Sequence, residues 1–151
     1  MKITFIAHSA FLVEWDKFYT LFDYVYEPDY TGTLPPLDPE KPLLVFSSHS
    51  HEDHFDGKVF GLLEQYPLTQ FFVSRDTRLT ERRRKWLGIS DEAFARTTVL
   101  RPDSILLTEA AGEELSVRAI KSTDIGNAYL LRAEGKMVYH GGDLNWWHWE
   151  S

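Results

Sequence analysis

The sequence predicts one domain of the mixed α/β or α+β class, spanning residues 1–151. Strand-like runs, rich in β-branched and aromatic residues, occupy both ends of the chain. Between them, two apolar runs each precede a segment with helical periodicity, which is typical of strand–helix units. The chain contains no internal repeat, and its length suits a single core.

The first 24 residues predict a meander of three strands, written as "KITFIAH", "AFLVEW" and "FYTLFDY". The opening run lacks a small-residue cleavage site, so we interpret it as a strand and not as a signal peptide. Five prolines between Glu27 and Pro42 then predict a long loop, because proline interrupts both helix and sheet.

The continuous apolar run "LLVFSS" predicts a fully buried strand. A helix is expected soon after it, with Asp56 as its N-cap. Its buried face is predicted from residues at i, i+3, i+4 and i+7, namely Val59, Leu62, Leu63 and Tyr66.

"QFFVS" predicts the next strand, and "TRLTERRRKWLG" predicts a second helix. Gly88 is expected to end this helix, and one side of it is predicted to carry Leu79, Arg83, Trp86 and Leu87. Five further strands follow from Thr97, predicted from "TTVL", "SILLTE", "ELSVRAI", "NAYLLRAEG" and "KMVYHGG".

The last residues, "DLNWWHWES", hold three tryptophans within four positions. Such an apolar cluster predicts an apolar partner surface, either elsewhere in this chain or in residues that are not present, and it is also the expected contact of a homo-oligomer.

Charge and composition narrow the function classes. A net charge of −7 argues against a nucleic-acid or acidic-membrane binder, because phosphates are repelled at long range. The consecutive cations at 82–85 would spread around a helix and predict a solvated face. The absence of cysteine leaves only nitrogen and oxygen ligands for any metal. No stretch reaches the roughly 20 apolar residues of a membrane span, which favours a cytoplasmic protein.

The stretch "SSHSHEDHFDG" holds three of the six histidines of the chain within six positions. It directly follows a predicted buried strand. His49 and His51 would point the same way in extended backbone, whereas Asp53 and His54 are adjacent and diverge. Imidazole and carboxylate are the usual ligands of zinc and similar metals, so the spacing H-x-H-x-D-H predicts two neighbouring half-sites.

This loop resembles the metal loop of the metallo-β-lactamase-fold hydrolases, and "ITFIAHSAFLVEW" looks like the opening hairpin of their ascorbate-6-phosphate lactonase-like branch. The resemblance implies an αββα sandwich with His49, His51, Asp53 and His54 as metal ligands. "KMVYHGGDLNWW" looks like the strand that ends in a metal-bridging aspartate, here Asp143. "LFDY" looks like the strand whose aspartate, here Asp23, supports the metal loop.

The sequence departs from the family pattern at two places. Where the family usually has another histidine, this chain has "STDIG", so Asp124 is either a ligand or a turn residue. On the C-terminal side of Asp143 the only histidine is His148, which lies too close to take the family's last ligand position. Members of the family also tend to be longer, which implies a sandwich that lacks its C-terminal part.

The resemblance implies a hydrolase that cleaves an ester, lactone or phosphodiester bond of a small molecule with a metal-bound hydroxide. Zinc is expected, with two ions in a complete site and manganese or iron as alternatives. Asp53 would bind metal and orient the nucleophile. Two rival readings remain: a metal-binding but catalytically silent subunit, and a di-iron redox protein. His51 argues against the second of these, because that branch tends to carry Glu there.

Three other polar residues stay open at this point. His8 could contribute to the site or serve a structural role at the end of the first strand. His140 could support a ligand or simply pack, and Asp23 could anchor the histidine loop or merely end a strand.

Overall fold

The computed structural model describes residues 1–7, 10–24, 34–49, 57–121 and 126–141. These residues form two stacked β-sheets with short helices on one side. The strands predicted from the sequence are all present. Within the described ranges, no helix combines the length and apolar content that crossing a membrane requires.

The first sheet has six strands in the order of the sequence. The first three pair antiparallel, as the predicted meander requires, and the last four run parallel. The strands are β1 (Lys2–Ala7), β2 (Ala10–Glu14), β3 (Tyr19–Phe22), β4 (Leu43–Ser47), β5 (Thr69–Ser74) and β6 (Thr97–Leu100). Every residue of β4 is buried, which explains its continuous apolar sequence.

The second sheet is a four-stranded antiparallel meander. It consists of β7 (Ser104–Ala110), β8 (Glu113–Lys121), β9 (Asn127–Ala133) and β10 (Lys136–His140). One face of this sheet packs on the first sheet. The shared core includes Phe46, which stacks on Phe22 at 5.3 Å and on Phe72 at 4.8 Å between ring centroids.

The helices cover the other face of the first sheet and form a second core with it. A 3₁₀ turn (Gly57–Gly61) leads into α1 (Leu62–Gln65), and a 3₁₀ turn (Arg75–Thr77) precedes α2 (Glu81–Trp86) and α3 (Asp91–Ala95). The predicted face of the first helical segment is confirmed, because Val59, Leu62, Leu63 and Tyr66 are all buried. Only its second half is α-helical, and its predicted cap, Asp56, lies outside the described residues.

The second helix differs from the prediction at both ends. It begins at Glu81, because Arg78 adopts a left-handed conformation and the Thr80 hydroxyl caps the helix by accepting from Arg83 N. Leu79 and Trp86 were predicted to share one side of the helix, which is wrong: Leu79 precedes the helix and is buried, whereas Trp86 is its last residue and is 79% exposed. Gly88 follows the helix with a φ of +75°, as expected of a residue that ends it. The sequence reading missed α3, which Ser90 caps.

Three layers of the predicted αββα sandwich are therefore present in the described residues. No helix in that part of the chain lies on the outer face of the second sheet, where Ile105, Leu107 and Met137 are exposed.

Candidate metal centre

The candidate site lies at one edge of the first sheet, where the parallel strands β3 and β4 end. Asp23 directly follows β3, and Ser48 and His49 directly follow β4. The two strands stay in register to their ends, since Phe22 pairs with Phe46 and Asp23 N donates to Phe46 O at 2.8 Å. The carboxyl ends of parallel strands lie at the same edge of a sheet, so the carboxylate of Asp23 and the imidazole of His49 are placed near each other.

Asp23 holds the first residue after β4. One carboxylate oxygen accepts from Ser48 N at 2.7 Å, and the other accepts from Ser48 Oγ at 2.7 Å. Asp23 is 2% exposed and has a φ of +50°, a left-handed conformation that aspartate tolerates better than most residues. The expectation that Asp23 anchors the segment leading into the histidines is confirmed by these two hydrogen bonds.

The same contacts predict which nitrogen of a neutral His49 ring carries the proton. Ser48 Oγ lies 2.8 Å from His49 Nδ1. A carboxylate only accepts hydrogen bonds, so the single hydroxyl proton of Ser48 points to Asp23. Ser48 Oγ must then accept from Nδ1–H, which leaves the lone pair of the neutral ring on Nε2. This is the tautomer of a histidine that binds a metal through Nε2, oriented through its other nitrogen.

His140 joins the site from the second sheet, at the end of β10. Its ring is 8% exposed and stacks on Phe22 at 4.9 Å with an interplanar angle of 9°. Its Nε2 lies 4.0 Å from Asp23 Oδ2. His140 therefore packs in the core beside the carboxylate that anchors Ser48, which confirms the packing role, and its support of a ligand stays a prediction.

Gly126 and Asn127, at the start of β9, lie in close contact with Ser48 and His49. Asn127 N donates to Ser48 O at 2.7 Å. Gly126 has a φ of +94°, and a Cβ added there would lie 2.3 Å from Ser48 O and 2.4 Å from His49 Cβ. Only glycine allows this approach. The sequence analysis assigned no role to Gly126 and missed the contact; the one signal available was a glycine directly before a predicted strand.

His49 is the one predicted ligand that the structure describes, and it is fully buried. The remaining candidates lie outside the described residues, namely His8, His51, Asp53, His54, Asp124, Asp143 and His148. Among the described residues, no group of three or more metal-ligating side chains could hold an ion. The donor type and fixed tautomer of His49 fit a first-row divalent metal.

The described residues that flank the remaining candidates meet at this edge. His49 directly precedes the rest of the histidine loop, and Gly126, which touches His49, directly follows the segment that contains Asp124. His140 lies three positions before Asp143. Ala7, at the end of β1, directly precedes His8 and pairs with Ala10.

Comparison with known proteins defines the class. The two-sheet fold is shared with a solved structure, that of Igni18, described as a novel metallo hydrolase from the archaeon Ignicoccus hospitalis. The TM-score is 0.66 at 22% identity, over 94% of this chain and 60% of that one. Residues 2–147 match the family described as "Beta-lactamase superfamily domain", and the chain belongs to that family.

Two curated relatives are named "UPF0173 metal-dependent hydrolase". The protein from Opitutus terrae is 29% identical over 153 residues, covering 95% of this chain and 63% of the relative. The protein from Desulforamulus reducens is 29% identical over 150 residues, covering 95% of this chain and 62% of the relative. The chain thus spans less than two thirds of the length of these relatives.

Proposed function

We propose that the chain carries a metal centre in which His49 is joined by His51, Asp53, His54 and Asp143. The observation that carries this proposal is the relay from Asp23 through Ser48 to His49, which leaves Nε2 of a buried imidazole unprotonated. A buried polar relay of this kind is costly to build for packing alone, because each member must be fully satisfied.

The flanking geometry supports the remaining ligands. Since His49, Gly126 and His140 meet at one edge, short segments starting there can reach a common ion. Asp143 remains the proposed bridging ligand, and Asp124 and His8 are further candidates. Two zinc ions are proposed for a complete site, with manganese or iron as alternatives, since nitrogen and oxygen donors accept all three.

The proposed activity is hydrolysis of an ester, lactone or phosphodiester bond in a small molecule, in the cytoplasm. The relatives named as metal-dependent hydrolases support the class of reaction but not the bond. A bound divalent metal would supply a water of lowered pKa and polarise the oxygen that gains charge.

The residues of the chain have the following roles in this proposal. His49 donates its Nε2 lone pair, and Ser48 holds the ring orientation through Nδ1. Asp23 would stabilise the partial positive charge of a metal-bound ring, because its carboxylate accepts a hydrogen bond from the Ser48 hydroxyl, which in turn accepts from Nδ1–H. Asp53 is proposed to bind metal and to orient the attacking water.

Elemental analysis of the purified chain tests the proposal directly. We expect at least one equivalent of zinc, manganese or iron, which a chelator removes and added metal restores. A panel of ester, lactone and phosphodiester substrates should show turnover that is lost and regained with the metal. Absence of tight metal binding would contradict the proposed centre. Bound metal without turnover would instead favour the catalytically silent subunit.

A further inference from the structure

The geometry points to Tyr129, in the second sheet, as a positioning residue that orients His49 through the backbone of β4. This inference rests on the proposed metal centre, because a metal ligand such as His49 requires a fixed ring orientation. It concerns a residue 80 positions away in the sequence that neither the histidine loop nor its flanking strand contains.

The contact is a hydrogen bond between the two sheets. Tyr129 is fully buried, and its hydroxyl donates to Ser47 O at 2.7 Å. Ser47 is the last residue of β4, two positions before His49. Burial raises the pKa of Tyr129 far above that of an exposed tyrosine, so the phenol stays a neutral donor at any physiological pH.

Asn127 directs this donor and adds a second restraint. Its side-chain Nδ2 donates to Leu100 O at 3.0 Å and makes a longer contact of 3.4 Å to the Tyr129 hydroxyl. The hydroxyl therefore accepts a hydrogen bond from Asn127 Nδ2 and donates one to Ser47 O. Asn127 N also donates to Ser48 O, so β9 holds two successive carbonyls just before His49.

Both sheets thus make hydrogen bonds to the same short segment, Ser47 and Ser48. Asp23, from the first sheet, holds the amide and hydroxyl of Ser48, while Tyr129 and Asn127 hold the carbonyls. The last carbonyl of a parallel strand and the one after it determine how the next side chain leaves the sheet. Fixing both restricts the direction in which the His49 ring leaves β4.

The hydroxyl can be separated from the packing of the ring. The Tyr129 ring packs edge-on against Phe46 at 5.2 Å, a contact that phenylalanine would keep. The substitution Tyr129→Phe therefore removes the hydrogen bond to Ser47 and the longer contact from Asn127 Nδ2, and it keeps the packing of the ring. A matched control exists in Tyr66, which is 5% exposed in the other core and whose hydroxyl accepts from Leu37 N at 3.4 Å.

The experiment measures zinc affinity by competition with a chelator, and stability by urea unfolding, for the wild type and both variants. Tyr129→Phe should weaken zinc binding about tenfold, which is the size of effect expected when a residue that orients a metal ligand is removed. Tyr66→Phe should leave zinc affinity unchanged and lose less stability, because its hydroxyl makes only a long, part-buried hydrogen bond. The inference would be overturned by equal zinc affinities in all three proteins, or by an equal loss of zinc affinity in both variants.

A second readout separates this inference from the proposed function. In metal-free protein, Tyr129→Phe should shift the ring resonances of His49, and Tyr66→Phe should not. If the wild type binds no zinc but these shifts appear, the metal centre fails and the positioning contact stands; unshifted His49 resonances would overturn the positioning role. If Tyr129→Phe does not fold, Asn127→Ala should show the same two changes at smaller size, and its failure to show them would overturn the inference.

Discussion

Replacing Gly126 with alanine is expected to destabilise the protein by about 3 kcal/mol and to displace His49. The positive φ of +94° costs an L-residue about 1–2 kcal/mol. The new Cβ would also fall 2.3 Å from Ser48 O and 2.4 Å from His49 Cβ, and relief of such overpacking costs about 1–3 kcal/mol more. Because the clash is with backbone and with the base of a side chain, the end of β4 must shift.

Gly135→Ala is the matched control for this prediction. Gly135 also has a positive φ, +71°, but nothing lies within 4 Å of a Cβ added there. It should therefore lose only the backbone term of about 1–2 kcal/mol. Urea unfolding of both variants measures the difference. An equal loss of unfolding free energy in both variants would contradict the close contact between Gly126 and His49.

Replacing Asp23 with asparagine is expected to change the proton arrangement of the site. Asparagine keeps the volume of aspartate and tolerates its φ of +50°. Its amide offers one acceptor in place of two, so it can accept from Ser48 N or from Ser48 Oγ but not from both. With its oxygen toward Ser48 N, its NH₂ donates to Ser48 Oγ. The serine proton then turns to His49 Nδ1, which forces the ring proton onto Nε2.

Two measurements follow for Asp23→Asn. Metal affinity should fall about 10–100-fold, because the Nε2 proton must be displaced before the ring can bind. The free energy of unfolding should fall by about 2 kcal/mol, as expected for weakened hydrogen bonds to a buried charge.

Asp38→Asn serves as the control for the charge change. Asp38 is exposed, accepts from Glu40 N at 2.9 Å and precedes the start of β4, whereas His49 follows the end of that strand. This variant should keep wild-type metal affinity and lose no more than about 0.5 kcal/mol of stability. A normal metal affinity for Asp23→Asn would show that the relay does not control His49.

Local sequence patterns predicted most of the fold. The buried strand β4 was predicted from its unbroken apolar run, and all five of its residues are buried. The start of α2 could not be predicted in this way, because the helical spacing begins at Leu79, whereas the backbone of Arg78 is left-handed and the helix begins only at Glu81. The predicted grouping of Leu79 and Trp86 on one side of the helix fails for the same reason, since Leu79 lies before the helix.

The candidate site was only partly predictable from the sequence. His49 was identified by the spacing of the histidine loop, Asp23 by the resemblance of "LFDY" to the strand that supports this loop, and His140 by its place near the end of a strand. The contributions of Gly126 and Tyr129 depend on how the two sheets dock, since Tyr129 and Ser47 are 82 positions apart. No local pattern records such a contact, and a buried tyrosine in a strand reads simply as core.

The tautomer of His49 tests the central claim most directly. Two-bond ¹H–¹⁵N NMR of the imidazole distinguishes a protonated ring nitrogen from one with a free lone pair. We predict a protonated Nδ1 and an unprotonated Nε2 in the metal-free protein, with the Nε2 resonance shifting when zinc is added. A ring protonated on Nε2, or one unaffected by zinc, would contradict the account.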